Sequence, residues 1–306
     1  MSYIAKALEV KNDWWRYLVG SIIVLIGIGI FSMPHSIAIG MKQMSGEVDF
    51  NRLNDVSYLL GLFDSNISLL FILLPFLGGL IALLIVVKSL HKQSITKITT
   101  SRAKIDWSRF WFSFLFWGIF SSAMVALGYY LAPEEFEISF QLIPFLILAL
   151  ISILLVPIQT SFEEYFFRGY LMQFFGVLAK NRWVPLVLTS VMFGLMHFAN
   201  PEVDKLGPGI MVYYIGTGFF LGIITLMDEG LELALGFHAA NNLFTALLVT
   251  ADWTAFQTYS ILTDTSEPSI TYDAFLPVII IYPIILFIFS KKYGWINWKN
   301  KLTGGI

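Results

Sequence analysis

Residues 140–178 read FQLIPFLILALISILLVPIQTSFEEYFFRGYLMQFFGVL. The first twenty or so are almost wholly apolar, enough to cross the hydrocarbon core of a bilayer as a helix. Two adjacent carboxylates and a guanidinium follow without a break in the apolar pattern. Charged groups at membrane depth are costly and need a reason. The stretch is too long for one ordinary span, and Pro144 and Pro157 interrupt it. It reads either as one long kinked helix or as two short spans, and the second reading would reverse everything downstream.

Working outward, similar apolar runs cover roughly 17–33, 68–87, 109–131, 185–199, 210–227, 231–250 and 275–290. With 140–178 they make about eight spans. Composition agrees. The chain has 306 residues, 57% hydrophobic and 13% charged, with a mean hydropathy of +0.74. Soluble domains carry about 25% charged residues, so this chain cannot cover a water-facing surface. The expected fold is an all-α polytopic bundle forming one integral membrane domain over 1–306, with a motif-bearing core at 140–250. Residues 1–16 mix charges with apolar residues and read as an interfacial amphipathic helix, with Trp14 and Trp15 at headgroup level. They lack the apolar core and cleavage site of a signal peptide.

The net charge is −2 and there is no long basic run, so nothing points to nucleic acid. The absence of cysteine excludes disulfides and thiolate chemistry. Sixteen of the nineteen Lys and Arg residues fall on one side of an eight-span arrangement. They lie in the N-terminus, the loop from Lys88 to Arg109, the stretch Arg168–Arg182 and the C-terminus. Only Lys42, Arg52 and Lys205 fall on the other. The positive-inside rule then puts both termini in the cytoplasm, as expected for a protein of a prokaryotic inner membrane.

Three polar clusters interrupt the spans: Glu163, Glu164 and Arg168 in SFEEYFFRGY, His197 in FGLMHFAN, and His238 with Asn242 in GFHAANN. Residues four apart share a helix face, so Glu164 can pair with Arg168, and His238 with Asn242. Phe193 and His197 repeat that spacing. Glu163 points about 100° away from Glu164. Measured from a turn near 179–183, Glu163 and His197 lie about 24 Å and 21 Å deep, whereas His238 lies about 12 Å beyond its own turn. A carboxylate and an imidazole converging on one water can activate it. A second His with an Asn can stabilise the resulting oxyanion. The plainer readings are a structural ion pair for Glu164–Arg168 and interhelical hydrogen bonding for the rest. Four costly groups on three spans are hard to explain as glue. The HExxH zinc arrangement is absent; a metal site of one Glu and two His remains compatible with the residue types, although no cofactor is expected.

The ordered triple EEYFFR (Glu163–Arg168), FGLMH (Phe193–His197) and HAANN (His238–Asn242) resembles the CPBP family, which includes type II CAAX prenyl endopeptidases and bacteriocin-processing or immunity membrane proteins. The pattern of that family is EExxxR, FxxxH and HxxxN or HxxxD on successive helices, and all three elements are complete here. The resemblance implies an intramembrane endopeptidase of glutamic type, acting without metal on a membrane-tethered peptide, prenylated or of bacteriocin type. It places the water-activating base at Glu163, the water-positioning histidine at His197, and the oxyanion stabilisers at His238 and Asn242. Glu164, Arg168 and Phe193 would support them. Two other classes stand beside it: a non-catalytic immunity or scaffold protein that binds a peptide in the same cavity, and a small transporter. No inverted repeat favours the transporter.

Overall fold

The computed structural model describes residues 2–53, 55–269 and 274–306. Eight apolar helices stand where the eight spans were read: α1 (Trp14–Met44), α2 (Ser65–Leu90), α3 (Trp107–Leu131), α4 (Leu142–Ala179), α5 (Trp183–Leu195), α6 (Met211–Asp228), α7 (Glu232–Leu248) and α8 (Tyr282–Tyr293). Five of these segments are long and apolar enough to cross a membrane by length and composition. Lipid offers no partner for a backbone N–H or C=O, so such runs must close their hydrogen bonds internally, and the helix does so. Caps form where the chain meets water. Asp64 accepts from the Asn66 N–H to start α2, and Asp106 accepts from the Ser108 N–H to start α3.

The 140–178 ambiguity resolves as a single helix. α4 runs unbroken from Leu142 to Ala179 and ends at Lys180, whose φ is 54°. Pro144 lies in its first turn, where a missing N–H costs nothing, and Pro157 is tolerated inside it. Its helical winding widens to π type over Tyr165–Leu171, directly after the two glutamates. Widened turns of this kind recur at functional sites. Glu164 meets His238 on α7 even though the two lie at very different distances from the inner ends of their helices. α4 and α7 are therefore not parallel rods with level ends.

α1 packs on α2, α2 on α4, α4 on α7, and α7 on α3, while α5 and α6 form a pair that closes the motif-bearing side. The α3–α7 contact is close enough that a Cβ at Gly236 would collide with the Phe110 carbonyl. That closeness sets Ser113 Oγ on the Leu233 carbonyl at 2.8 Å and Trp117 within reach of Asn241.

The end of the bundle that carries the chain termini is stitched by charge. Arg102 donates to the Asp228 side chain at 2.7 Å and to Glu232 at 3.2 Å, Arg109 pairs with Asp228, and Arg182 and Lys301 pair with Glu229. The Trp295 indole N–H donates to Asp228 at 3.2 Å. At the opposite end a three-stranded sheet ties the loops together: β1 (Phe136–Ile138) pairs antiparallel with β3 (Leu262–Asp264), which pairs parallel with β2 (Val249–Thr250).

The expected amphipathic helix over 1–16 is not what forms. A short 3-10 helix, Ile4–Glu9, tucks Tyr3, Ile4, Ala5 and Ala7 into the protein, and the Tyr3 hydroxyl donates to the Ile98 carbonyl at 2.6 Å. Protein surface covers these apolar side chains, so they do not enter the lipid interface. Trp14 and Trp15 do stay exposed.

The α3–α7 contact yields a first prediction. Gly236→Ala forces a methyl group against backbone that cannot rotate away. Overpacking of this kind costs about 1–3 kcal/mol, so the purified variant in detergent should melt several degrees below wild type. A melting temperature equal to wild type would show that the helices do not approach as described.

Candidate active site

Arg168 is the largest fully buried side chain among the described residues. Its guanidinium donates to Glu164 Oε1 at 3.1 Å and to the Gly218 carbonyl on α6 at 3.2 Å, and it lies 4.1 Å from the centroid of Phe193 on α5. One cation thus joins α4, α5 and α6. The i, i+4 pairing expected from sequence is present, but Glu164 is not occupied by Arg168 alone. Its Oε1 also lies 2.8 Å from His238 Nδ1.

His238 bridges both glutamates. Its Nε2 stands 3.5 Å from Glu163 Oε2. Glu164 faces an arginine and accepts only, so the proton on this side of the ring belongs to Nδ1. Phe193 packs between the histidines, 4.9 Å from the ring of His197 and 5.8 Å from that of His238.

His197 departs from the sequence reading in one respect. α5 stops at Leu195, and His197 sits in the turn beyond it, not within a helix. Its Nδ1 is 2.9 Å from the Phe193 carbonyl, and its ring stacks on Tyr214 at 4.5 Å. A carbonyl only accepts, so Nδ1 carries the proton and Nε2 presents a lone pair. The other two histidines lie away from this site: His35 is inside α1 and stacks on Phe71, and His91 follows α2 and bonds to the Lys11 carbonyl.

A directional chain of hydrogen bonds reaches Glu163 from α3. Trp117 Nε1 donates to Asn241 Oδ1 at 3.0 Å, and Asn241 Nδ2 donates to Asn242 Oδ1 at 3.1 Å. Asn242 Nδ2 then donates to Gln159 Oε1 at 3.0 Å, and Gln159 Nε2 donates to Glu163 Oε1 at 2.6 Å. An indole can only donate and a carboxylate only accept, so the two ends fix the orientation of every amide between them. Glu163 Oε1 is thereby engaged, while the buried Oε2 has no hydrogen-bond partner among the described residues. Trp117, Gln159 and Asn241 were not picked out in the sequence. Gln159 lies one turn before Glu163, and that i, i+4 spacing was the available signal.

Glu163, His197 and Asn242 line a cavity of about 690 Å³. Val24, Leu25 and Ile72 furnish apolar wall from α1 and α2, and Met192 and Met196 from the α5 side. A small side chamber of about 60 Å³ touches His197, His238, Asn241 and Asn242. That is room enough for water, and polar groups line it. No group of three or more His, Asp or Glu among the described residues is arranged to hold a metal ion.

Fold and site together define a multi-pass helical membrane protein with carboxylates, imidazoles and amides converging inside the bundle. Residues 140–244, which contain all three motifs, match the family model of type II CAAX prenyl endopeptidase Rce1-like proteins. The resemblance read from the motifs and the family match therefore fall on the same segment. The chain is also 27% identical to the uncharacterized protein YyaK of Bacillus subtilis (strain 168), over 98% of each chain. No solved structure matches it.

The buried pair makes a testable unit. Arg168→Met strands the Glu164 charge in the interior, and breaking a buried pair this way costs on the order of 3–5 kcal/mol. The double variant Glu164→Gln/Arg168→Met should recover part of that loss. Thermal melting in detergent reads both, and strict additivity of the two single changes would refute the coupling.

Proposed function

We propose that this protein is an intramembrane endopeptidase of glutamic type that hydrolyses a membrane-tethered peptide. The observation that carries the reading is the contrast between the two oxygens of Glu163, one engaged by Gln159 and the other buried and free beside His238. A carboxylate with one oxygen engaged and the other unpartnered is suited to take a proton from a water that reaches the unpartnered oxygen.

In this reading Glu163 Oε2 and His197 Nε2 orient one water. Its oxygen attacks the peptide carbonyl carbon as its proton passes to Glu163. The oxyanion accepts from the second N–H of Asn242 Nδ2 and from the Nε2–H of His238 in its imidazolium form, the Nδ1–H of that ring being held by Glu164. Collapse breaks the C–N bond, and the proton on Glu163 leaves with the amine. Glu164 and Arg168 keep His238 in place, and Phe193 separates the two imidazoles. Partial exclusion of bulk water strengthens each of these interactions. The apolar wall from α1, α2 and α5 would receive the apolar anchor of the substrate, prenyl chain or hydrophobic residues alike. Both termini are proposed to face the cytoplasm, given the Lys and Arg asymmetry. The polar convergence in an apolar-walled cavity favours cutting over passive recognition, because Asn242, Gln159 and Asn241 spend hydrogen bonds on orienting Glu163.

Three variants test the assignment. Glu163→Gln and His197→Ala should each lower cleavage by about 10²–10⁴-fold, and Asn242→Ala by about 10²–10³-fold, with insertion and melting temperature near wild type. Mass spectrometry of membrane peptides from cells with wild type or Glu163→Gln would reveal products that vanish in the variant. Undiminished cleavage by purified Glu163→Gln would end the proposal. Cleavage should also persist in chelator; loss that zinc restores would replace the metal-free mechanism with a metal-dependent one.

A further inference from the structure

The cavity does not end at the catalytic groups. It extends to the loops beyond α5 and α7, where Asn200, Glu202, Trp253, Thr254 and Ala255 line it. Glu202 has no role in the mechanism above. Its Oε1 accepts from the Ala255 N–H at 2.8 Å, which fixes the side chain between two loops. Its Oε2 is buried and has no hydrogen-bond partner among the described residues, and no Lys, Arg or His there pairs with it. Burial pushes its carboxyl above the usual glutamate range. An ionised carboxylate held away from water is uncompensated until a donor reaches it.

The face around this mouth is predominantly acidic. The segments 41–64, 132–141, 196–210 and 249–269 hold twelve Asp and Glu against three Lys and Arg. They lie at one end of the molecule: β1, β2 and β3 join 132–141 to 249–269, Tyr259 donates to Asp64 at 2.7 Å, and Glu202 reaches Ala255. The opposite end is closed by the ion pairs around Asp228, Glu229 and Glu232. A face dominated by one sign raises the local concentration of oppositely charged ligands and speeds their approach.

We propose that the cavity takes a peptide bearing a lysine or arginine side chain, delivered from this acidic face, with Glu202 Oε2 as the group that receives the cation. The inference rests on the peptide-cleaving reading for its setting, since the cation site lies in the same cavity as Glu163. It adds a substrate class: a cationic peptide that approaches on the side poor in basic residues, opposite the chain termini. The cation fixes the position of the peptide along the cavity, and the apolar wall holds its anchor.

The test measures binding, so it does not depend on cleavage. Glu163→Gln protein in nanodiscs is titrated with short palmitoylated, fluorescent peptides of Ala, Leu and Ser. These carry one lysine at successive positions, or norleucine in its place, and anisotropy is followed. At one position the lysine peptide should bind at least about tenfold more tightly than its norleucine partner, the order expected for a desolvated charge pair. Adding Glu202→Gln keeps the acceptor for Ala255 and removes the charge, so the preference should vanish while norleucine peptides bind as before. Glu202→Lys should prefer the peptide with glutamate at that position. Equal binding of lysine and norleucine peptides at every position overturns the proposal, as does no binding at all or a preference that survives Glu202→Gln. Loss of catalysis in Glu163→Gln, tested separately, leaves these outcomes unaffected.

Discussion

Everything in the motif-bearing half depends on one buried cation. Arg168 is wholly enclosed, and a guanidinium so placed must find anionic and carbonyl partners or destabilise the bundle. It finds Glu164 on its own helix, the Gly218 carbonyl on α6 and the face of Phe193 on α5. Those contacts set the position of three helices together. Because Glu164 is then held from one side by Arg168, its remaining reach falls on His238, and α7 is added to the set. The Glu163 that follows from this register is turned toward the cavity, not toward the arginine. The buried pair and Glu163 are neighbours in sequence because one aligns the other.

Precision at Glu163 comes from a second source, which begins far away in the chain. The Gly236 contact brings α3 against α7, and Trp117 then meets Asn241. From there the amide chain leads to Glu163 through Asn242 and Gln159. Each link is an ordinary hydrogen bond, but the polarity of the chain has only one solution. A neutral network inside a low-dielectric bundle is costly when half satisfied and specifying when complete. Here it makes the two oxygens of one carboxylate chemically different.

Much of this was legible in the amino-acid order. The apolar runs show the bundle because lipid leaves the backbone little alternative. The i, i+4 pair Glu164–Arg168 is visible because helix geometry alone makes them neighbours. His238 and Asn242 stand out because polar side chains in an apolar helix are few. Other parts were hidden for physical reasons. Gln159 and Asn241 look like routine interhelical hydrogen-bonders until their partners on other helices are known. His197 reads as helical because the apolar pattern continues past Leu195, whereas the chain turns there. The strands of the loop sheet are two or three residues long, too short to leave an alternating pattern. Residues 4–9 have an interface-like composition, yet Ile4, Ala5 and Ala7 are covered by protein, which depends on long-range packing at Tyr3 and Ile98.

The short α5 has a consequence for the membrane itself. Thirteen residues rise only about 20 Å, against a hydrocarbon thickness near 30 Å. Leu195, Met196 and Phe198 at its end are exposed, so lipid must meet the protein there over a shortened apolar height. Such hydrophobic mismatch is relieved by thinning of the adjoining leaflet. Thinning of this kind would draw headgroups and water down beside His197. The bilayer next to the cavity mouth would then form a dimple, and under the proposed function a peptide lying in the interface would sit nearer to Glu163 and His197 there than in a flat bilayer.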